Sequence, residues 1–414
     1  MTAPTLAVDF GTSNTAAAVL QDGRPCRIAI EEGSETLPTA VFFPADAGVM
    51  RIGAAASDAL IAGEEGRYMR ALKSVLGTSL FHETRRIEGK RRTLADTVTA
   101  FLVALKSRAE AETGERFSRV LSGRPVHFHT ADPERDARAE ADLRACYHAA
   151  GFESVEFLFE PEAAALASHG LGTAGDIGLI VDIGGGTSDF SVFRTENGRP
   201  RILASHGIRL GGTDFDHAVS MSHAMPLLGL GGELRRDFGE GLLPVPRAIY
   251  MDLSTWAKIP FLYTRETLSA VADMVRLAVD APAMRRLEKV LGDELGHDLA
   301  FSVEEGKIAA NANRAGARIG MAQIAPRLSA PIDGDSLDAA LETYRAPLSE
   351  AAAETLQAAG ISPAQVGTVI LVGGSSLMNM VSDGMRALCP GAEQRYSEAF
   401  TAVVDGLALA TEQA

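Results

Sequence analysis

The sequence predicts an α/β fold in which one structural unit occurs twice. Three observations point there: a repeated strand–glycine turn–strand–hairpin unit, alternating strand and helix patterns elsewhere, and a length of 414 residues. That length exceeds one ordinary hydrophobic core and calls for two or more domains. The repeat is the sharpest of the three. Its first copy opens with Leu6-Ala-Val-Asp9-Phe-Gly11-Thr12-Ser13-Asn14. The second opens with Leu179-Ile-Val-Asp182-Ile-Gly184-Gly185-Gly186-Thr187-Ser-Asp189, 173 residues further on. Alternating residues follow each copy, then a hairpin signal: Asp22-Gly23-Arg24-Pro25 and Asn197-Gly198-Arg199-Pro200. Two similar lobes facing one ligand are the natural reading.

In chain order, residues 4–30 read as a hairpin, with Asp-Gly where a two-residue loop needs positive φ. From Glu31 to about Leu80 the pattern is irregular. A helix is predicted over Leu94–Glu112, with Val98, Phe101, Leu102 and Leu105 on one face. Arg119–Phe128 reads as a buried strand ending near Gly123-Arg-Pro125. The next helix has Asp132 as cap, Pro133 in its first turn and Gly151 at its close. Val155–Phe159 is a strand, and Glu160-Pro161-Glu162 starts a helix that ends near Gly170. The second hairpin spans about Ile177–Ala204, and Leu210–Phe215 turns into a helix. Residues 222–300 are the least legible. A polar helix near Ser302–Asn313, strands near 316–332, helices through 336–360, the buried strand Thr368–Val372 and helices to about Leu388 and over 400–411 complete the reading. Alternating strands and helices imply covered sheets.

Composition is that of a globular protein, 46% hydrophobic and 22% charged, with 41 glycines. A net charge of −15 argues against general nucleic-acid binding, which needs basic surface. No run approaches the roughly 20 apolar residues of a membrane span, and the first core strand begins at Leu6, so a cytoplasmic protein is expected. Cys26, Cys146 and Cys389 are far apart and read as buried or inert thiols. His127 and His129 alternate on one strand face without a third ligand. Arg85, Arg86, Lys90, Arg91 and Arg92 read as a solvated loop or helix face.

Four glycine turns have polar or acidic companions: 9–14, 182–189, 210–214 and 373–376. Gly11, Gly184, Gly185 and Gly186 lack Cβ, so phosphate oxygens can approach main-chain N–H groups, while Thr12, Ser13, Asn14 and Thr187 add donors. Asp9 and Asp182 would repel a bare polyphosphate, which calls for a cation; Mg²⁺ prefers such oxygen ligands. Glu160, at a strand end before Pro161, can orient or deprotonate water, or simply sit as an acid at a helix start.

These segments resemble the nucleotide-binding domain of the seventy-kilodalton heat-shock chaperones, with its actin-like ATPase fold. The matches are Val8–Asn14, Glu160–Ala165, Val181–Asp189, Leu210–Asp216, Glu304-Glu-Gly-Lys307 and Leu371–Ser375, in the family's order. The resemblance implies two duplicated ribonuclease-H-like lobes around an ATP cleft. Lobe I would span 1–175 with an inserted subdomain at about 31–110. Lobe II would span 176–414 with an insert at about 216–303 and a last helix packing back between the lobes. Asp9, Thr12, Asp182 and Thr187 would hold Mg²⁺ and phosphates, the metal through water. Glu160 with Asp182 would position the attacking water. Glu304, Lys307 and Asn311 would reach the ribose side, and Gly211, Gly212, Gly373, Gly374 and Ser375 would line the nucleoside site.

The chain departs from the family in four places. Gly53-Ala-Ala-Ala-Ser57 offers Ser57 where the family has its γ-phosphate lysine, and Lys73 matches a different family lysine. Ile308 and Leu377 replace the two arginines that sandwich adenine, so cation–π stacking is lost. Phe400 replaces an aspartate near the adenine pocket. The chain ends at Ala414 without the family's linker or β-rich peptide-binding domain, as in short heat-shock-70-like bacterial proteins. The expected function is therefore a Mg²⁺-ATP/ADP-dependent conformational switch, a slow ATPase acting through a protein partner. The alternatives are an inactive nucleotide sensor and, further off, a small-molecule kinase of the same fold.

Overall fold

A computed structural model describes residues 4–31, 33–45, 48–87, 90–129, 132–167, 175–196, 199–237, 239–396 and 401–413. The turn at Asn197-Gly198, the helix end near Gly170 and the Phe400 substitution lie outside the described residues. Two large sheets carry the repeat. In the first, the order is Arg24–Arg27, Asn14–Gln21, Thr5–Phe10, Arg119–Arg124, Ser154–Phe159, with Thr36–Pro38 also paired to Asn14–Gln21. In the second it is Arg199–Ile208, Ser188–Glu196, Ile177–Ile183, Thr368–Val372, Glu393–Tyr396. Each sheet runs three antiparallel strands and then two parallel ones. The duplication seen in sequence is thus a duplication of topology.

Local chemistry accounts for the elements. Asp22 and Gly23 both take positive φ, 50° and 71°, as a two-residue hairpin turn requires. Thr93 and Asp96 form a reciprocal capping box at Leu94–Thr113, and the Asp132 carboxylate accepts the Arg135 N–H at the start of Pro133–Ala149. The strand ends at Arg124, near Gly123-Arg-Pro125 as expected, because Pro125 has no N–H for the ladder. The segment expected to be irregular holds a three-stranded sheet, Arg51–Ile52, Ala40–Pro44 and Gly66–Arg70. Its strands are too short to show a period. The basic run, expected as a loop or helix face, lies on two paired antiparallel strands, Arg85–Ile87 and Lys90–Arg92. The polar strand Glu393–Tyr396 was not expected at all.

The chain divides into two compact units. One comprises Met1–Arg209, Leu348–Leu377 and Val381–Ala414; the other comprises Leu210–Pro347 and Met378–Met380. The first contains both large sheets. One of its cores joins Ala7, Ala16, Ala18 and Leu121 of the first sheet to Ile180, Phe193, Ile370 and Val372 of the second, through Ala163, Val404 and Leu407. Those last three come from the helices Glu160–Ala167 and Ala402–Ala410. The helices approach so closely that a Cβ on Gly406 would fall 1.7 Å from the Ala163 carbonyl oxygen. Arg27 fastens the second helix by a two-pronged pair to Asp405, at 2.7 and 2.9 Å.

The second unit is mainly helical, with Gly212–Val219, Ala248–Leu253, Arg265–Leu277, Ala281–Gly292 and Gly296–Asn311. Two small hairpin sheets accompany them. Its core includes Val271, Leu287 and Val290, with buried Tyr250 donating to the Leu228 carbonyl at 3.0 Å. Trp256 meets His297 and Phe301 edge-on at 4.6 and 4.9 Å.

Ala is a better helix residue than Gly by roughly 1 kcal/mol, yet Gly406→Ala puts a methyl group into backbone. Overpacking of this kind costs about 1–3 kcal/mol or more. Urea unfolding of Gly406→Ala is expected to show a net loss of stability, whereas Gly292→Ala, where a Cβ meets nothing within 4 Å, is expected to be neutral or mildly stabilising.

Candidate functional site

Asp9 and Asp182 stand near the ends of the equivalent strands Thr5–Phe10 and Ile177–Ile183. Their neighbours Val8, Phe10, Val181 and Ile183 are buried in the core, so strand alternation turns both carboxylates to the opposite face. Asp189 pairs with Asp182 across the hairpin. Gly207 leaves it room, since a Cβ there would lie 2.5 Å from Asp189 Oδ1.

The glycine turns then close around these acids. A Cβ on Gly11 would sit 2.2 Å from the Asn14 carbonyl oxygen, so only glycine lets the first turn form. A Cβ on Gly185 would sit 2.7 Å from Ser13 Oγ, so the two repeated turns lie side by side. The Gly184 N–H donates to the Thr187 carbonyl at 3.0 Å, and Gly186 faces open space. Thr12, Ser13 and Asn14 are half-buried, while Thr187 is exposed and donates to Asp189 Oδ2 at 3.3 Å. The turn at 373–376 joins them: a Cβ on Gly373 would lie 2.6 Å from the Ile183 carbonyl oxygen and 2.8 Å from Asp182 Oδ1. Gly374 and Ser375 open the short helix Gly374–Leu377 behind it.

Glu160 begins its helix directly after the strand Ser154–Phe159. Its partner is Lys73, whose ammonium donates to Glu160 Oε1 at 2.5 Å. Lys73 is buried. It rides on the one-turn helix Leu72–Val75, entered through Ala71 in a left-handed conformation (φ 56°) and anchored in the core by Leu72 and Leu76. The ammonium beside these carboxylates thus comes from position 73 and not from the 53–57 segment. Ser57 lies elsewhere, its hydroxyl 3.4 Å from that of Tyr68.

Four carboxylates thus surround one ammonium. Burial, then the charge of Glu160, pushes Asp9 up to about 7 against the pull of Lys73. Burial, with Glu160, Asp189 and Asp9 adding to it, pushes Asp182 up to about 8. Asp189 rises to about 6 by burial and Glu160. For Lys73 burial favours the neutral amine, but Glu160, Asp9 and Asp182 outweigh it and raise its pKa. A recess of about 10 Å³, room for one water, opens beside Glu160, Asp182 and Asp189 and reaches His127 and His206. Crowded oxygen donors with too little positive charge could hold a hard divalent cation, and the adjoining Cβ-free turns could hold an oxyanion. With no cluster of three or more direct metal-type ligands among the described residues, a cation here would be held largely through water, and the turns fit an oxyanion.

The remaining predicted residues belong to the second unit. The Gly211 N–H donates to the Asp214 carboxylate at 2.9 Å, and Gly212 opens the helix Gly212–Val219. Lys307 is buried and paired to Asp216 at 2.7 Å. Glu304 is exposed, and Asn311 Oδ1 accepts the Asn379 N–H at 2.8 Å. Ile308 and Leu377 are among the exposed large apolar side chains, at 51% and 41%. His129 Nε2 is 2.8 Å from the Leu76 carbonyl, and no cluster of three or more metal-type ligands occurs among the described residues. All three cysteines are free; Cys146 and Cys389 are buried and Cys26 is exposed. Among the described residues no helix is long and apolar enough to cross a membrane.

A carboxylate whose folded pKa is raised contributes stability below its unfolded value, near 3.8, and loses it as pH rises through the folded value. For Asp182 that window runs from about 4 to about 8. In thermal unfolding of the ligand-free protein with chelator present, Asp182→Asn is expected to melt increasingly above the wild type as pH rises from 5 to 9. An equal difference at both ends would contradict the site's electrostatics.

Residues 5–226, more than half of the chain, match the family model described as Hsp70 protein. The match includes both repeated turns, Lys73, Glu160, Asp189, Gly211 and Gly212. It ends before Glu304, Lys307, Asn311 and the 373–376 turn.

Proposed function

The chain belongs to the Hsp70 family, with that family's actin-like α/β ATPase fold, and on this premise we propose that it is a Mg²⁺-ATP-binding conformational switch that hydrolyses ATP slowly and acts through a protein partner. The single observation that carries the reading is the meeting of the two repeated glycine turns beside a buried lysine and four carboxylates.

In this reading Gly11–Asn14 and Gly184–Thr187 cradle the phosphates with main-chain N–H groups and hydroxyls. Asp9 and Asp182 hold the hydrated metal. Bound Mg²⁺ would neutralise phosphate charge and relieve the repulsion that now raises both aspartates. Lys73 stabilises charge on the transferring phosphoryl group, the task Ser57 cannot perform. Glu160, already bonded to Lys73 and lining the water-sized recess, orients a water and takes its proton. With Ile308 and Leu377 in place of the family's two arginines, cation–π stacking on the base is not expected. By the family resemblance Gly211, Gly212 and Glu304 of one unit and Gly373, Gly374 and Ser375 of the other would serve the nucleoside; Lys307 pairs with Asp216 and Asn311 with Asn379. The switch follows from differential binding: charge that stabilises one arrangement of the site is absent when the nucleotide leaves.

Calorimetry is expected to detect saturable binding of Mg²⁺-ATP and Mg²⁺-ADP; absence of both would end the proposal. In single-turnover assays Lys73→Ala is expected to slow hydrolysis by about 10²–10³-fold, the size of losing one preorganised donor, with a smaller loss of affinity. Ser57→Lys is expected to leave turnover unchanged. A second reading, a nucleotide sensor without turnover, is favoured by one contact: Lys73 is already committed to Glu160. Binding without any single-turnover hydrolysis, unaltered by Glu160→Gln, would select it.

A further inference from the structure

A second cavity, of about 460 Å³, opens in the first unit away from the carboxylate cluster. One wall is the helix Pro133–Ala149, where Arg135, Arg138 and Asp142 recur at spacings that share a face. The other is the turn Gly77–Ser79 and the short helix Ser79–His82. Gly77 takes φ +73°, and a Cβ there would strike the Arg135 carbonyl oxygen at 2.4 Å, so the walls are fitted closely.

Charge in this cavity is unbalanced. Among the described residues neither Arg135 nor Arg138 has an ion pair, and Arg135 Nε is buried without a hydrogen-bond partner. The nearby carboxylates are already used. Asp142 accepts the Gly77 N–H at 2.9 Å and lies 2.9 Å from His82 Nε2. Asp136 is taken by Arg124 and by the Phe128 and His129 N–H groups, and Asp132 caps the helix through the Arg135 N–H. Burying a charged donor without an acceptor is costly, and a chain of net charge −15 has carboxylates to spare for such a pair. Two guanidinium forks with an adjacent hydroxyl, that of Ser79, match a tetrahedral dianion. The volume exceeds that of a phosphate alone and falls within the range of small-molecule sites.

We propose that this cavity is a binding site for a small phosphate monoester, its phosphate held by Arg135 and Arg138 and its organic part filling the remaining space. The turn Gly77–Ser79 follows directly on the segment that carries Lys73, so an occupant would brace that segment from outside the carboxylate cluster.

The test is calorimetric titration of the full chain with glycerol 3-phosphate, with inorganic phosphate and glycerol in parallel. Saturable binding of glycerol 3-phosphate, weaker binding of phosphate and none of glycerol are expected. Arg135→Ala and Arg138→Ala should each weaken binding about tenfold or more, and Lys73→Ala should leave it unchanged. Arg138 is exposed, so its variant carries the test even if Arg135→Ala fails to fold. No saturable binding by the wild type, indifference to Arg138→Ala, or loss with Lys73→Ala instead would overturn the proposal, the last by assigning the anion to the glycine turns.

Discussion

Among the described residues Lys73 is the one positive charge at the meeting point of Asp9, Glu160, Asp182 and Asp189, and the candidate site depends on it. Without an ammonium there, four acids would share a recess largely cut off from water. With it, Glu160 is satisfied while Asp9 and Asp182 stay raised. The site is therefore short of positive charge by design of its parts, and its empty form is electrostatically uncomfortable. Such a centre is stabilised by whatever cation it binds, in proportion to that ligand's concentration and affinity.

The duplication explains why the acids meet. Each sheet brings an aspartate to the same end of its central strand, followed by a glycine turn that, in the first copy, no other residue can form. The core between the sheets is filled by two helices rich in Ala and Gly, which bring the strands' inner faces close. Asp9 and Asp182 are thus related by topology, whereas Lys73 and Glu160 belong to one copy only. A symmetric cradle thereby acquires an asymmetric interior: one side carries the lysine–glutamate pair, the other the extra carboxylate of Asp189.

Local signals were legible in the sequence. The Asp-x-Gly turns, the Asp22-Gly23 hairpin, the Thr93–Asp96 and Asp132 caps and the alternating strands all follow from short-range backbone preferences. What escaped depends on distant contacts. Lys73 sits in a segment with no clear period, and its partner lies 87 positions away. The strands between 36 and 70 are two to five residues long, too brief for a period. Glu393–Tyr396 is polar throughout and is a strand only because Thr368–Val372 offers it an edge.

Gly406 carries one more implication. Its hydrogen atom occupies space that belongs, at any other residue, to a carbon against the Ala163 carbonyl. That carbonyl lies three positions beyond Glu160, in the helix that Glu160 begins. Any side chain at 406 must lever this helix away, and the first residue to shift would be the acid bonded to Lys73. A position whose side chain is a single hydrogen atom is therefore a spacer that sets the reach of the site's acid.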